Sequence, residues 1–119
     1  MKNLPEPHRL ILKLCTEEHV GLWFIIPHVE DYYRGDNEAV IRTKTLAVLG
    51  DLMRTGFIKA GKPTQDGISF VAWELSPKEA IARIEKEWRS LGHAPSLGDI
   101  VWFTATPAGT RLLGSDSRD

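Results

Sequence analysis

The chain has 119 residues, and 15 Lys and Arg against 16 Asp and Glu give a formal net charge of −1. That length fits one domain. A hydrophobic fraction of 42% and a charged fraction of 26% are those of a globular protein, which argues against a disordered chain. No apolar run reaches the ~18–20 residues needed to cross a bilayer, so no membrane partner is expected, and the near-neutral balance argues against a surface built throughout for phosphates.

A single cysteine, Cys15, cannot close an internal disulfide, and the N-terminal residues show no apolar stretch ahead of a cleavage site. Both observations fit a reducing, cytoplasmic location.

Residues 5–18 read as a first helix, with Leu10, Ile11, Leu14 and Cys15 forming one apolar stripe. Pro5 and Pro7 are tolerated in its first turn, where the missing N–H groups do no harm. Cys15 lies in the stripe and reads as a small buried hydrophobe. Residues 20–28 are short, apolar and rich in aromatic and β-branched side chains, which predicts a strand bounded by Gly21 and Pro27. A short helix is then expected over 28–34, ending at Gly35.

Asp36 is the expected N-cap of a longer helix from Asn37 to about Thr55. Its buried side would be Val40, Leu46, Leu49, Leu52 and Met53, with Arg42, Lys44, Asp51 and Arg54 in solvent. Residues 57–60 and 68–75 read as strands joined by a turn-rich loop over 61–67. The helix over 77–91 carries the clearest local signal. Ser76 is its N-cap, Pro77 occupies N1, and Glu79 at N3 completes a capping box. Ile81, Ile84, Trp88 and Leu91 form its stripe, Glu79–Arg83 and Glu85–Arg89 are candidate i,i+4 pairs, and Gly92 stops it. A last strand is expected over 100–105 and a short helix from Thr106-Pro107 through Leu113. The domain would thus span 1–113, with 114–119 a disordered tail.

A helix that runs directly into a hairpin is the informative part of this order. Thr45-Leu-Ala-Val-Leu-Gly-Asp-Leu-Met-Arg-Thr-Gly-Phe-Ile-Lys-Ala-Gly61 resembles the third helix and first wing strand of winged helix-turn-helix domains. Trp102-Phe-Thr-Ala-Thr-Pro-Ala-Gly-Thr-Arg-Leu-Leu113 resembles the returning strand of the same family. The resemblance covers about half the chain and departs from the family over residues 76–99, where a capped helix and a Gly/Pro loop replace a short turn. It implies an α+β, winged-helix-like fold: a small antiparallel sheet packed on three N-terminal helices, with an extra helix inserted before the last strand.

The resemblance also implies a DNA-binding transcriptional regulator as one function. The helix over 37–55 would then enter the major groove, and Arg42, Lys44, Arg54, Lys59 and Lys62 would supply the cations. Segment 36–62 nets +2 once Asp36, Glu38 and Asp51 are counted, a small asymmetry. Asp51 counts against this function, because a carboxylate on the reading face repels phosphates and most base edges.

Candidate chemistry fails on inspection. Gly56-Phe-Ile-Lys-Ala-Gly-Lys62 matches a phosphate-binding loop until Pro63, which stands where Ser or Thr must hold magnesium. Gly67-Ile-Ser-Phe-Val71 lacks the second glycine of a nucleophile elbow. His8, His19, His28 and His93 have no metal-ligand spacing. No enzyme, catalytic residue, metal or cofactor is expected.

The other function, and the preferred one, is a non-catalytic module that recognises a protein partner, as a monomer or homodimer. Four tryptophans, Trp23, Trp73, Trp88 and Trp102, are many for a chain this short, and a surface ring would anchor an interface. Trp88 and the connection over 90–99, with His93 and Pro95, are the interface candidates. Bacterial immunity proteins and antitoxins share this size and lack of catalytic groups.

Overall fold

The computed structural model describes residues 4–96 and 98–116. Among them the chain forms α1 (Glu6–Glu17), β1 (Val20–Gly21), α2 (Leu22–Tyr32), α3 (Glu38–Arg54), β2 (Ile58–Pro63), β3 (Phe70–Ala72), α4 (Pro77–Leu91), β4 (Trp102–Ala105) and α5 (Pro107–Asp116). This is an α+β fold whose four strands make one antiparallel sheet in the order β1-β4-β2-β3.

Alternation along the strands sets the layers. Val20, Phe103, Ala60 and Ile58 are buried and face the helices, with α1 against β4 and α3 against β2. Trp102, Thr104 and Lys59 lie on the opposite side, in register across the sheet. The core runs from Ile11, Leu12 and Cys15 through Leu22, Ile25, Leu49 and Leu52 to Ile84 and Phe103, all at most 2% exposed. Burying each large side chain contributes about 1.5–3 kcal/mol. In α1 the fully buried pair is Ile11 and Leu12, and Leu10 and Leu14 are half-buried.

The segment after β1 corrects the expected strand over 20–28. Only Val20 and Gly21 pair with β4, and the chain then turns into α2, which also absorbs most of the short helix expected over 28–34. The buried residues Leu22, Ile25, Ile26 and Val29 fall at i, i+3, i+4 and i+7, one helical stripe. That spacing outweighs the β-favouring residue types and the ~3 kcal/mol cost of a proline inside a helix. Pro27 sits on the exposed side, and the neighbouring His28 ring donates Nδ1–H to the Phe24 carbonyl at 3.0 Å.

In α3 the N-cap is Asn37, whose side chain accepts the Val40 N–H at 2.9 Å, and the expected cap Asp36 pairs with Lys44 instead. Val40 is exposed, contrary to expectation, because Ile41, Thr45, Val48, Leu49 and Leu52 define the inward face. Thr45 is wholly buried without penalty, since its hydroxyl donates to the Ile41 carbonyl at 2.7 Å. The helix is enclosed by α1, α2, α4 and β2. Residues 61–63, expected in a loop, extend β2, and the strand expected over 68–75 shortens to β3. Asp66 shapes the turn between them by accepting the Ile68 N–H at 2.9 Å.

The capping box of α4 is present in full, and the helix ends at Gly92. Because the Glu79 carboxylate accepts the Ser76 N–H at 3.0 Å, the expected Glu79–Arg83 pair does not form; Arg83 pairs with Glu87 at 3.0 Å. The Glu85–Arg89 pair forms, also at 3.0 Å. The last strand is confined to 102–105. Thr106 starts α5 by accepting the Gly109 N–H, and the helix continues to Asp116, so the first residues of the expected tail are helical. Residues 117–119 lie outside those described.

Candidate binding groove

Where α2, α3 and the C-terminal end of α4 meet, they leave an open groove of about 270 Å³. Its floor is apolar: Ile26 from α2, Ile41 from α3 and Trp88 from α4, each less than 9% exposed. One wall is the connection after α4, Gly92 to Pro95, with Pro95 buried and His93 exposed. Glu30, Glu38, Arg42 and Arg89 rim the opening.

Three of the four rim charges are left without a partner among the described residues. Arg89 pairs with Glu85, but the side chains of Glu30, Glu38 and Arg42 make no hydrogen bond or ion pair with other described residues. Glu38 stands one turn before Arg42, at a spacing that allows a pair, yet the two stay apart. His93 donates its Nδ1–H to the Ala94 carbonyl at 2.8 Å, which fixes the ring beside the groove mouth.

All three residues expected at a protein interface, Trp88, His93 and Pro95, line this groove, although they come from a helix and the loop behind it. Trp88 is 8% exposed, so it forms the floor and does not project as a surface anchor; the heptad-like spacing with Ile81 and Ile84 turns it inward. Sequence reasoning missed Ile26, Glu30, Glu38 and Ile41. Only tertiary packing brings them to the groove, and nothing local marks them.

The five candidate DNA-contacting cations are divided among the groove, two ion pairs and β2. Arg42 lines the groove. The Lys44 ammonium lies 2.7 Å from Asp36 and 4.0 Å above the Tyr33 ring. Arg54 pairs with Asp51, leaving Lys59 and Lys62 exposed on β2. The exposed positions in the first three turns of α3, Glu38, Ala39, Val40, Thr43 and Ala47, include no Asn or Gln for adenine readout. Asp51 is engaged inside the molecule by His8 and Arg54, and these hold its carboxyl below the usual carboxylate range.

Of the other tryptophans, Trp73 lies under the Arg83 guanidinium at 3.9 Å. Trp23 stands edge-on to Phe24 and Trp102, with ring centroids 5.6 and 6.4 Å away. Among the described residues no group of three or more His, Cys, Asp or Glu is placed to hold a metal ion. Nor is any helix among them long and apolar enough to cross a membrane.

These features define a small α+β domain with a mixed-charge groove on its helical side. No protein-family model, curated protein or solved structure matches the chain.

Proposed function

We propose that the protein is a non-catalytic binding module whose groove takes a segment of another protein, in the manner of an immunity or antitoxin-type protein. The observation that carries this reading is the convergence of Arg42, Trp88, His93 and Pro95 on one concavity whose rim charges Glu30, Glu38 and Arg42 have no partner among the described residues. Unpaired charges of both signs around an apolar floor suit a polypeptide that offers complementary charges about an apolar side chain. A duplex offers one sign only, and two unpaired glutamates beside Arg42 oppose it.

The scaffold proposed for this module is winged-helix-like. Supporting it are the order α1-β1-α2-α3-β2 and the position of β4 between β1 and β2. Strands β2 and β4 would be the wing pair, and β3 with α4 the insertion that covers α3.

The test is photocrosslinking from position 93 in cells, comparing the native rim with Arg42→Glu and Glu38→Arg. A discrete protein adduct that each reversal lowers at least about tenfold is expected. An adduct indifferent to both reversals overturns the reading. So does tight binding of random duplex DNA at low salt that falls steeply as salt is raised.

A further inference from the structure

The geometry points to a second binding surface, the free edge of β3, as a self-pairing site: two copies of this chain join antiparallel through Phe70–Ala72 about a two-fold axis at Val71. This edge shares no residue with the groove, so the inference stands independently of the proposed function.

Hydrogen-bond parity shows what the edge offers. The β2–β3 ladder is anchored by Trp73 N–H to the Ala60 carbonyl at 2.8 Å and Thr64 N–H to the Ser69 carbonyl at 3.0 Å. Bonded pairs alternate in an antiparallel ladder, so Lys62 and Val71 are the bonded pair between them. Phe70 and Ala72 therefore turn their N–H and C=O groups away from β2, and β3 is the last strand of the sheet. These are four main-chain groups aimed outward, two donors and two acceptors, symmetric about Val71.

A two-fold axis through that point sets Phe70 opposite Ala72 of the second copy, and Ala72 opposite its Phe70. Each pair exchanges two N–H···O=C bonds, so all eight groups are satisfied. Val71, 58% exposed in the single chain, then faces Val71 of the second copy across a non-bonded pair, where side chains approach most closely.

The side chains favour a second copy as the occupant. Residues 67–73 carry no charge, so self-pairing brings no like charges together. On the outer face, the row Trp102, Gly61, Ala72 holds nothing larger than a methyl between the indole and the edge. Phe70 of the second copy lands beside Ala72 and fills that dip, large against small. The edge is short, at three residues, but it carries neither the charge nor the proline that commonly blocks strand addition. The Phe70 ring is held in place by His19, 5.1 Å away centroid to centroid, and the His19 ring donates Nε2–H to the Ile68 carbonyl at 3.1 Å.

Sedimentation and cysteine pairing test the proposal on the full chain. The native protein should shift from 13.4 kDa toward twice that mass as concentration rises to about 200 μM, the range in which weak interfaces populate. Val71→Lys should remain a monomer throughout with an unchanged circular dichroism spectrum. Under mild oxidation Val71→Cys should give a disulfide-linked dimer at least about tenfold faster than Ser69→Cys, because position 71 alone meets itself across the axis. The native Cys15 is buried and stays silent. A native chain that is monomeric at the highest concentration, a dimer that survives Val71→Lys, or equal crosslinking at 69 and 71 overturns the proposal.

Discussion

His8 Nε2 lies 2.9 Å from Asp51 Oδ2, joining α1 to α3 across 43 residues of sequence. The ring is mostly buried, with 16% of its side chain exposed, whereas Asp51 is 48% exposed and also engages Arg54. The His8 hydrogen bond is the largest influence lowering the Asp51 pKa, ahead of the opposing desolvation and the Arg54 charge.

A carboxyl depressed on folding stabilises the native state above its unfolded pKa of about 3.9 and loses that contribution as pH falls through the folded value. Asp51→Asn should therefore lower stability at pH 7 by less than about 1 kcal/mol, given the solvent screening of so exposed a group. The difference from the native chain should vanish in strong acid. Urea unfolding at several pH values checks this, and a gap that stays constant into acid refutes it.

Removing the Trp88 ring takes away both the groove floor and a buried part of the core. Trp88→Ala should cost about 3–5 kcal/mol, read as a lowered urea midpoint. A negligible change would place the ring outside the core.

The Cys15 thiol is pushed up to about 12 by burial, far from the range in which a thiolate forms at neutral pH. A disulfide reagent at pH 8 should leave the native protein unlabelled and modify one thiol per chain in denaturant. Rapid labelling without denaturant would show that α1 opens readily.

Gly61 lies where β2 closes on β3, and a Cβ there would stand 2.1 Å from the Val71 carbonyl oxygen. Backbone cannot yield as a side-chain tip can, so Gly61→Ala should cost about 1–3 kcal/mol and loosen the β2–β3 pairing. Faster amide exchange at Val71 and Trp73 is the readout. Unchanged exchange there would show that the strands accommodate the methyl.

Local chemistry made several elements legible from sequence. The Ser76, Pro77 and Glu79 signature placed α4, because capping is satisfied within four residues. The stripe containing Ile11 and Cys15 located α1, and Gly56 marked the step from α3 into β2. The stretch from Leu22 misled because its residue types favour a strand while its spacing favours a helix, and the core they bury against decides between them. The groove was legible only in fragments. Trp88, His93 and Pro95 were recognisable as neighbours in sequence, whereas Ile26, Glu30, Glu38 and Ile41 reach them only through helix packing.

Sequence alone thus determined where most helices begin and end, that Cys15 is buried, and the class of the fold, since caps, periodicity and turn residues act over a few positions. Tertiary structure alone decided which cations remain unpaired, that Ile26 and Ile41 join Trp88 in one groove floor, and which strand is left at the edge. Those outcomes depend on residues far apart in the chain, and the free energy of each contact exists only once both partners have been brought together.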